Sequence, residues 1–522
     1  MLLYELVSTS AAVANASSRL VKIAQLATLL QRLTAPEIEV AVAFLTGEPR
    51  QGRIGIGVSS IREAKPLVSA PHPVLHLQEV DEVFERIATI TGRGSPGDRT
   101  RMLRELLARA TGEEQDFLVR LLMGELRQGA LEGVLVEAVA RAGNVSPAAV
   151  RRAAMMAGAL APVTRALLVE GERGLTGFIV QLFRPVQPML AHTASGIDEA
   201  MADLEEDVSV EWKLDGARIQ VHKLGDEIKV FSRNLREVTS AVPEVVAAAR
   251  AMPAREVILD GEVIALRADG TPETFQRTMQ RFGRRLDVDR LRAELPLTPF
   301  FFDLLYADGE SLIDQPQGQR FVALGELAGA DTVPNLIRPT AEQASRFVED
   351  ALRRGHEGVM VKALDSPYAA GRRGQQWLKI KVARTLDLAV LAAEWGHGRR
   401  KGWLSNLHLG ARDPGSGGFV MLGKTFKGMT DEMLAWQTEK LLQLEIARDD
   451  YTVYVRPELV VEIAFNDVQG SPHYPGRLAL RFARVKRYRL DKAATEADTI
   501  DAVREIHLRS AGAPPSRSPR PA

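Results

Sequence analysis

The rhythm of apolar residues changes at about residue 205, and that change excludes any fold built from a single kind of layer. Before it, apolar side chains recur at helical spacing, as in RTRMLRELLARAT (99–111) and EEQDFLVRLLMGELRQ (113–128). Ser146-Pro147 and Thr34-Ala35-Pro36 each place a capping hydroxyl before a first-turn proline. Residues 1–180 are therefore expected to be all-helical, followed by an extended, proline-bearing link over 181–192. Beyond it come short β-branched and aromatic runs: VSVEWKLDGARIQVHK (208–223), EIKVFSRN (227–234), EVILDGEVIAL (256–266), PFFFDLLYADG (299–309), EGVMVKAL (357–364) and QWLKIKV (376–382). Helical stretches such as 240–252 and 341–355 lie between them, so 185–384 reads as α+β with antiparallel strands. From 385 to 508 short strands dominate, separated by turns such as DPGSGG (413–418), which fits a small barrel. The Pro/Ser/Arg-rich segment 511–522 reads as a disordered tail.

The chain has 522 residues, too many for one hydrophobic core. Its 45% apolar and 26% charged residues are those of a globular protein in water. No run approaches the ~20 apolar residues of a membrane span. The amino terminus carries Glu5 where a secretory signal would be basic, so no membrane association and a cytoplasmic location are expected. Cysteine is absent, which excludes disulfides, thiolate catalysis and cysteine-ligated zinc. Basic and acidic residues balance at 67 each, so no nucleic-acid partner is announced by net charge. Two segments, GHGRRKGW (396–403) and RFARVKRYR (481–489), are locally basic. They suit phosphate contacts, although charge alone favours a pair of solvated faces.

Lys213-Leu214-Asp215-Gly216 ends an apolar run and is followed by Arg218. Alone, the pattern is also that of a solvated strand-end lysine before an Asp-Gly turn. Its company changes the argument. In chain order come Ser232-Arg233-Asn234, Asp260-Gly261-Glu262, Phe301-Phe302-Asp303, Glu357 to Lys362, and Trp377-Leu378-Lys379-Ile380-Lys381. Charged side chains placed repeatedly at strand ends are costly to a core unless they face a ligand. Several cations with acids interspersed suit a polyphosphate and a divalent cation.

This ordered set resembles the motifs of the covalent nucleotidyltransferases, and more narrowly those of ATP-dependent DNA ligases of the archaeal and eukaryotic replicative type. The likeness includes PVQPMLA (185–191), EWKLDGAR (211–218), YAAGRRGQQWLKIK (368–381), GKTFKGMTDE (423–432) and RFARVKRYRLDK (481–492). It implies a multidomain chain: an all-α DNA-binding domain (1–180), an α+β nucleotidyltransferase domain (185–384) and an all-β OB-fold domain (385–508).

It also implies Lys213 as the nucleophile that takes AMP from ATP, an amine that must be neutral to attack, as neighbouring cations and a bound metal favour. Glu211 would bind adenine and Phe302 stack on it, although plain core packing also accounts for a phenylalanine there. Arg218 and Arg233 would hold ribose or phosphate oxygens, and Arg373, Lys379 and Lys381 would lie at the phosphates. Glu262 would contact the ribose or, with Glu357, a Mg²⁺, with Mn²⁺ as a substitute; a surface ion pair of Glu357 with Lys362 is the competing reading. Arg481, Arg484, Arg487 and Lys492 would close over ATP as the barrel moves about a link near 383–386.

The implied substrate is nicked double-stranded DNA, the implied state a monomer, with unspecified replication or repair partners. An RNA ligase, a capping-type nucleotidyltransferase and a catalytically inert DNA clamp are the competing readings. Three positions depart from the family: Trp212, Ala483 and Lys486.

Overall fold

The computed structural model describes the chain except residues 53, 67, 93, 127–130, 206, 285–286, 370–372, 382–383, 398–399 and 511–522, and the side chains of 131–132, 289, 373–375 and 509–510. The expected tail, part of the link near 383–386, and the side chain of Arg373 thus lie outside the described residues.

From Leu3 to Glu170 the regular elements are α-helices. Local signals start them where the sequence places them. Ser146 Oγ accepts from the Ala149 amide ahead of the helix Pro147–Ala157. The Thr34 amide donates to Glu37 Oε2 at 2.9 Å ahead of Ala35–Thr46. Their apolar faces, including Leu26, Phe44, Phe84 and Leu118, bury one contiguous core.

The middle region holds two five-stranded sheets. The first consists of β1 (Leu190–Thr193), β2 (Val208–Lys213), β8 (Asn335–Ile337), β9 (Gly358–Ala363) and β10 (Arg373–Lys381), in the order β1-β10-β9-β2-β8. The second consists of β3 (Ala217–Leu224), β4 (Glu227–Ser232), β5 (Glu256–Ala265), β6 (Leu297–Ala307) and β7 (Glu310–Ser311), in the order β4-β3-β5-β6-β7. Antiparallel pairing is the rule, with one correction: β1 runs parallel to β10. The chain reaches β1 from the helical region and β10 from β9, so no hairpin joins β1 to β10 or constrains their direction. Helices Ile197–Asp203 and Ala341–Arg353 cover the first sheet, and Pro243–Ala251 and Gln317–Ala328 cover the second.

The third region forms a seven-stranded sheet. Its strands are β11 (Arg384–Trp395), β12 (Leu404–Arg412), β13 (Phe419–Thr425), β14 (Glu445–Arg448), β15 (Thr452–Val455), β16 (Val460–Phe465) and β19 (Arg484–Tyr488). Between the last two lies a ribbon of β17 (Asp467–Gly470) and β18 (Leu478–Arg481). The long β11 pairs with β16 along its first half and with β15 along its second, while β12 pairs with the second half too, which curls the sheet around its own core. Two helices join these strands. Asp431–Gln443 starts where Thr430 Oγ1 accepts from the Met433 amide, and Ile500–Ser510 closes the described chain.

The three regions are joined unequally. Met155 and Met156 of a front-end helix share a buried apolar cluster with Val186, Met189, Ile258, Leu305 and Trp377 of the middle region. The buried core of the barrel contains barrel residues alone.

Candidate active site

Side-chain alternation along the first sheet builds one wall of a cleft of about 580 Å³. In register, Lys213 lies opposite Gly358 and Glu211 opposite Met360. Met360 in turn lies opposite Lys379, Gly358 opposite Lys381, and Lys362 opposite Trp377. Glu211, Lys213, Met360, Lys362, Trp377, Lys379 and Lys381 therefore share a face, and all line the cleft. Arg218, Glu262 and Phe302 come from the second sheet, and Arg233 stands exposed at the rim.

Gly216 explains the turn after Lys213. A Cβ there would sit 2.3 Å from the Val263 carbonyl, so only glycine lets the loop lie against β5. Its amide donates to Glu262 Oε1 at 3.1 Å. Gly358, with φ +144°, plays the same part beneath the lysine: a Cβ would lie 2.1 Å from Ile380 O.

Lys213 Nζ lies 2.6 Å from Glu357 Oε2. The other oxygen of Glu357 accepts from Lys381 and, at 3.0 Å, from Asn466 Nδ2 of the barrel. Burial alone would raise the Glu357 carboxyl, but Lys213 and Lys381 outweigh it and hold the group below its usual range. Lys381 is lowered by burial and by Lys213, against the pull of Glu357. Glu262 is driven up to about 7 by burial, which Lys213 and Arg218 oppose.

The surface pairing of Glu357 with Lys362 is corrected. Lys362 Nζ pairs with Glu211 Oε2 at 2.6 Å, with side chains only 1% and 2% exposed. Glu357, just ahead of β9, turns to Lys213 and Lys381 at the other end of the same cleft. Burial lifts the Glu211 carboxyl to about 7 despite Lys362, and its Oε1 is buried without a hydrogen-bond partner. An orphaned acceptor at the cleft floor is a ready contact for a ligand N–H.

Phe302 is half-buried, edge-on to Trp377 with centroids 6.2 Å apart. Lys362 Nζ lies 4.7 Å and the Arg218 guanidinium 5.4 Å from its ring centre. Core packing accounts for part of the ring, while the rest borders the cleft. Arg218 donates to both Asp260 oxygens (3.0 and 2.6 Å), to Met189 O (2.7 Å) and to the Tyr368 hydroxyl (3.3 Å). That spends most of its donors on bracing the cleft wall. Lys379 donates to Ala191 O at 3.3 Å, which ties it to β1.

From the last basic segment, Arg481 alone of the four arginines and lysines expected there lines the cleft. It pairs with Asp215 and lies 3.8 Å from the Phe275 ring centre. Arg484 is exposed, Arg487 pairs with Glu462 at 2.7 Å, and Lys492 with Asp387 at 2.6 Å. The family departures leave the cleft chemistry alone. Trp212 packs on His356 with centroids 4.4 Å apart, Ala483 joins the barrel core, and Lys486 is exposed.

Sequence reasoning gave no role to Tyr368, which braces Arg218 and Asp260, or to Asn466, and it missed the pairing of Lys362 with Glu211. Nothing local marks Asn466, because its partner is 109 residues away.

Among the described residues no three acidic, histidine or cysteine side chains gather as a ready-made metal cage. Glu357 Oε2 is nevertheless buried without a hydrogen-bond partner, its contact with Lys213 being off the hydrogen-bonding direction. That suits an ion that takes one or two carboxylates and completes its shell with water and phosphate.

Three family models match the chain: "DNA ligase N terminus" over residues 50–140, "ATP dependent DNA ligase domain" over 188–381, and "ATP dependent DNA ligase C terminal region" over 400–492. A protein of Anaeromyxobacter sp. (strain Fw109-5) named "Probable DNA ligase" is 58% identical over 98% of this chain and 99% of its own. A protein of the same name from Sorangium cellulosum (strain So ce56) is 56% identical over 97% of this chain and 95% of its own. The solved structure named "Pmar-Lig_PreS3" covers 93% of this chain and 99% of its own at 20% identity, with a TM-score of 0.61, which marks a shared fold.

Proposed function

The chain belongs to the ATP-dependent DNA ligase family, and we propose that Lys213 is the residue through which it carries AMP. The observation that carries this reading is the position of Lys213. Its ammonium stands at the end of β2 inside the cleft, 2.6 Å from Glu357, with Lys381 and Arg481 nearby.

Three transfers follow. The neutral amine of Lys213 attacks the α-phosphorus of ATP; an N–P bond forms, the α–β bridging P–O bond breaks, and pyrophosphate leaves. The 5′-phosphate of a nick then attacks the same phosphorus, and the lysine leaves as a protonated amine. Last, the 3′-hydroxyl attacks the 5′-phosphate; the strand is joined and AMP departs.

Glu211, held by Lys362, presents its free oxygen to the adenine amino group, and Phe302 stacks on the base. Arg233 reaches ribose or phosphate from the rim, Arg218 braces the wall behind it, and Lys379, Lys381 and Arg373 attend the phosphates. Glu357 and Glu262 would hold a Mg²⁺, or Mn²⁺ in its place, which supplies charge neutralisation at the phosphates when bound.

Residues 1–180 act as the DNA-binding domain and 385–508 as an OB-fold that closes on the cleft for AMP uptake and turns away for DNA. Contacts of this kind go mainly to backbone phosphates, which lets a monomer work at any nick sequence. No helix among the described residues is long and apolar enough to cross a membrane; the cytoplasm, where ATP and DNA meet, is the compartment this reading assigns.

The test is incubation with α-labelled ATP and Mg²⁺ followed by a denaturing gel. Label on the protein, lost in Lys213→Ala and discharged by nicked duplex DNA with sealing, is the expected result. Discharge by nicked RNA alone would move the chain to RNA ligation, and preference for GTP to capping chemistry. No label with any nucleotide would sink the reading.

A further inference from the structure

We propose that Asn466, a residue of the barrel, is a positioning residue for the loading of Lys213 with AMP. The proposal rests on the reading of Lys213 and Glu357 above. Asn466 Nδ2 crosses from the barrel to Glu357 Oε1 at 3.0 Å, the oxygen that also receives Lys381. With two donors on Oε1, rotation of the carboxylate is restrained, and Oε2 is kept beside Lys213 Nζ, 2.6 Å away. A neutral amide does this without adding charge. A cation in its place would compete with Lys213 for Glu357, and a carboxylate would repel it.

The fold gives the amide its aim. The Asn466 backbone N–H donates to Arg481 O at 3.0 Å, and the next residue, Asp467, lies opposite Arg481 in the β17–β18 ribbon. Two barrel residues that reach across to the cleft thus share one stretch of ladder: Arg481 goes to Asp215, Asn466 to Glu357. Both leave together when the barrel turns away. Asn466 therefore acts while AMP is taken up and is absent when a nick is sealed.

The experiment uses the full chain and separates the two stages. Self-labelling is followed against ATP concentration, and sealing is followed on a synthetic nick that already bears a 5′-adenylate, with no ATP. Asn466→Ala is expected to lower the maximal labelling rate roughly tenfold, the order of one hydrogen bond to a charged group, with the half-saturating ATP concentration unchanged. Sealing of the adenylated nick is unchanged, which also shows that the variant is folded. Asn466→Asp labels more slowly still, and Asn466→Gln, which keeps the amide, recovers part of the rate.

Gln276→Ala removes another bond between the regions, from Gln276 Nε2 to Gly470 O at 3.4 Å, without touching Glu357, and is expected to label normally. Wild-type labelling by Asn466→Ala, equal loss in both stages, or equal loss in Gln276→Ala would overturn the proposal. Labelling that survives in Lys213→Ala would instead overturn the reading beneath it.

Discussion

At the scale of residues, the Glu211–Lys362 pair separates what motifs reveal from what they hide. Glu211, Lys213, Glu262 and Phe302 were legible because each stands within a short ordered motif, and the cleft receives all four. The partner of Glu211 was not, since it depends on the register of β2 against β9 across 151 positions of sequence. Lys362→Met would strand a buried carboxylate and should cost about 3–5 kcal/mol, read from the denaturant midpoint. The double variant Glu211→Leu with Lys362→Met should regain most of that stability and still fail to select ATP over GTP in the labelling assay. His222 offers a second test. It is fully buried, accepts from the Phe183 amide at Nδ1 (2.9 Å) and so directs Nε2–H to Gln220 Oε1 (2.9 Å). Burial drops its pKa from 6.5 to about 3. Between those values the unfolded chain binds a proton that the folded one refuses, so this contribution is intact above pH 6.5 and is lost as pH falls toward 3. His222→Gln should flatten the acid limb of stability against pH by up to about 1.4 kcal/mol per unit, measured by denaturant unfolding.

Among elements, the strands that bear motifs were legible from alternation, and the capped helices from their first turns. What escaped were the pieces with too few residues for a period to show, such as β7 and β8, and the parallel setting of β1. The helix Asp431–Gln443 escaped for another reason: its signal lies within a region otherwise dominated by strands. Gly358 shows how an element positions chemistry. Its left-handed-side φ and its contact with Ile380 O leave no room for a side chain where β9 passes β10. Gly358→Ala should destabilise by roughly 1–3 kcal/mol by forcing these strands apart. Because Glu357 precedes it directly, labelling should fall further than the melting temperature alone would account for.

For the whole molecule, the order of helical, α+β and barrel regions could be read from apolar rhythm, but the unequal strength of their junctions could not. That inequality depends on which side chains meet across boundaries. Met155 and Met156 bind the helical region to the middle one through apolar burial, whereas the barrel meets the cleft with Phe482 and with the polar contacts of Arg481 and Asn466. Raising the salt concentration from about 0.05 to 0.5 M should therefore loosen the barrel while leaving the helical region attached, since screening acts on charge and not on apolar contact. A fluorophore pair across each junction would show one distance lengthening and the other constant; a change in both would contradict this.

The parallel strand β1 carries a last consequence. Its Ala191 carbonyl receives Lys379, and the neighbouring Met189 carbonyl receives Arg218, so the segment that leaves the helical region is itself masonry of the nucleotide chamber. A shortened polypeptide beginning at β2 would retain every reacting group and lack the surface against which two of its cations are set. The smallest self-sufficient catalytic unit of this chain must begin upstream of Met189.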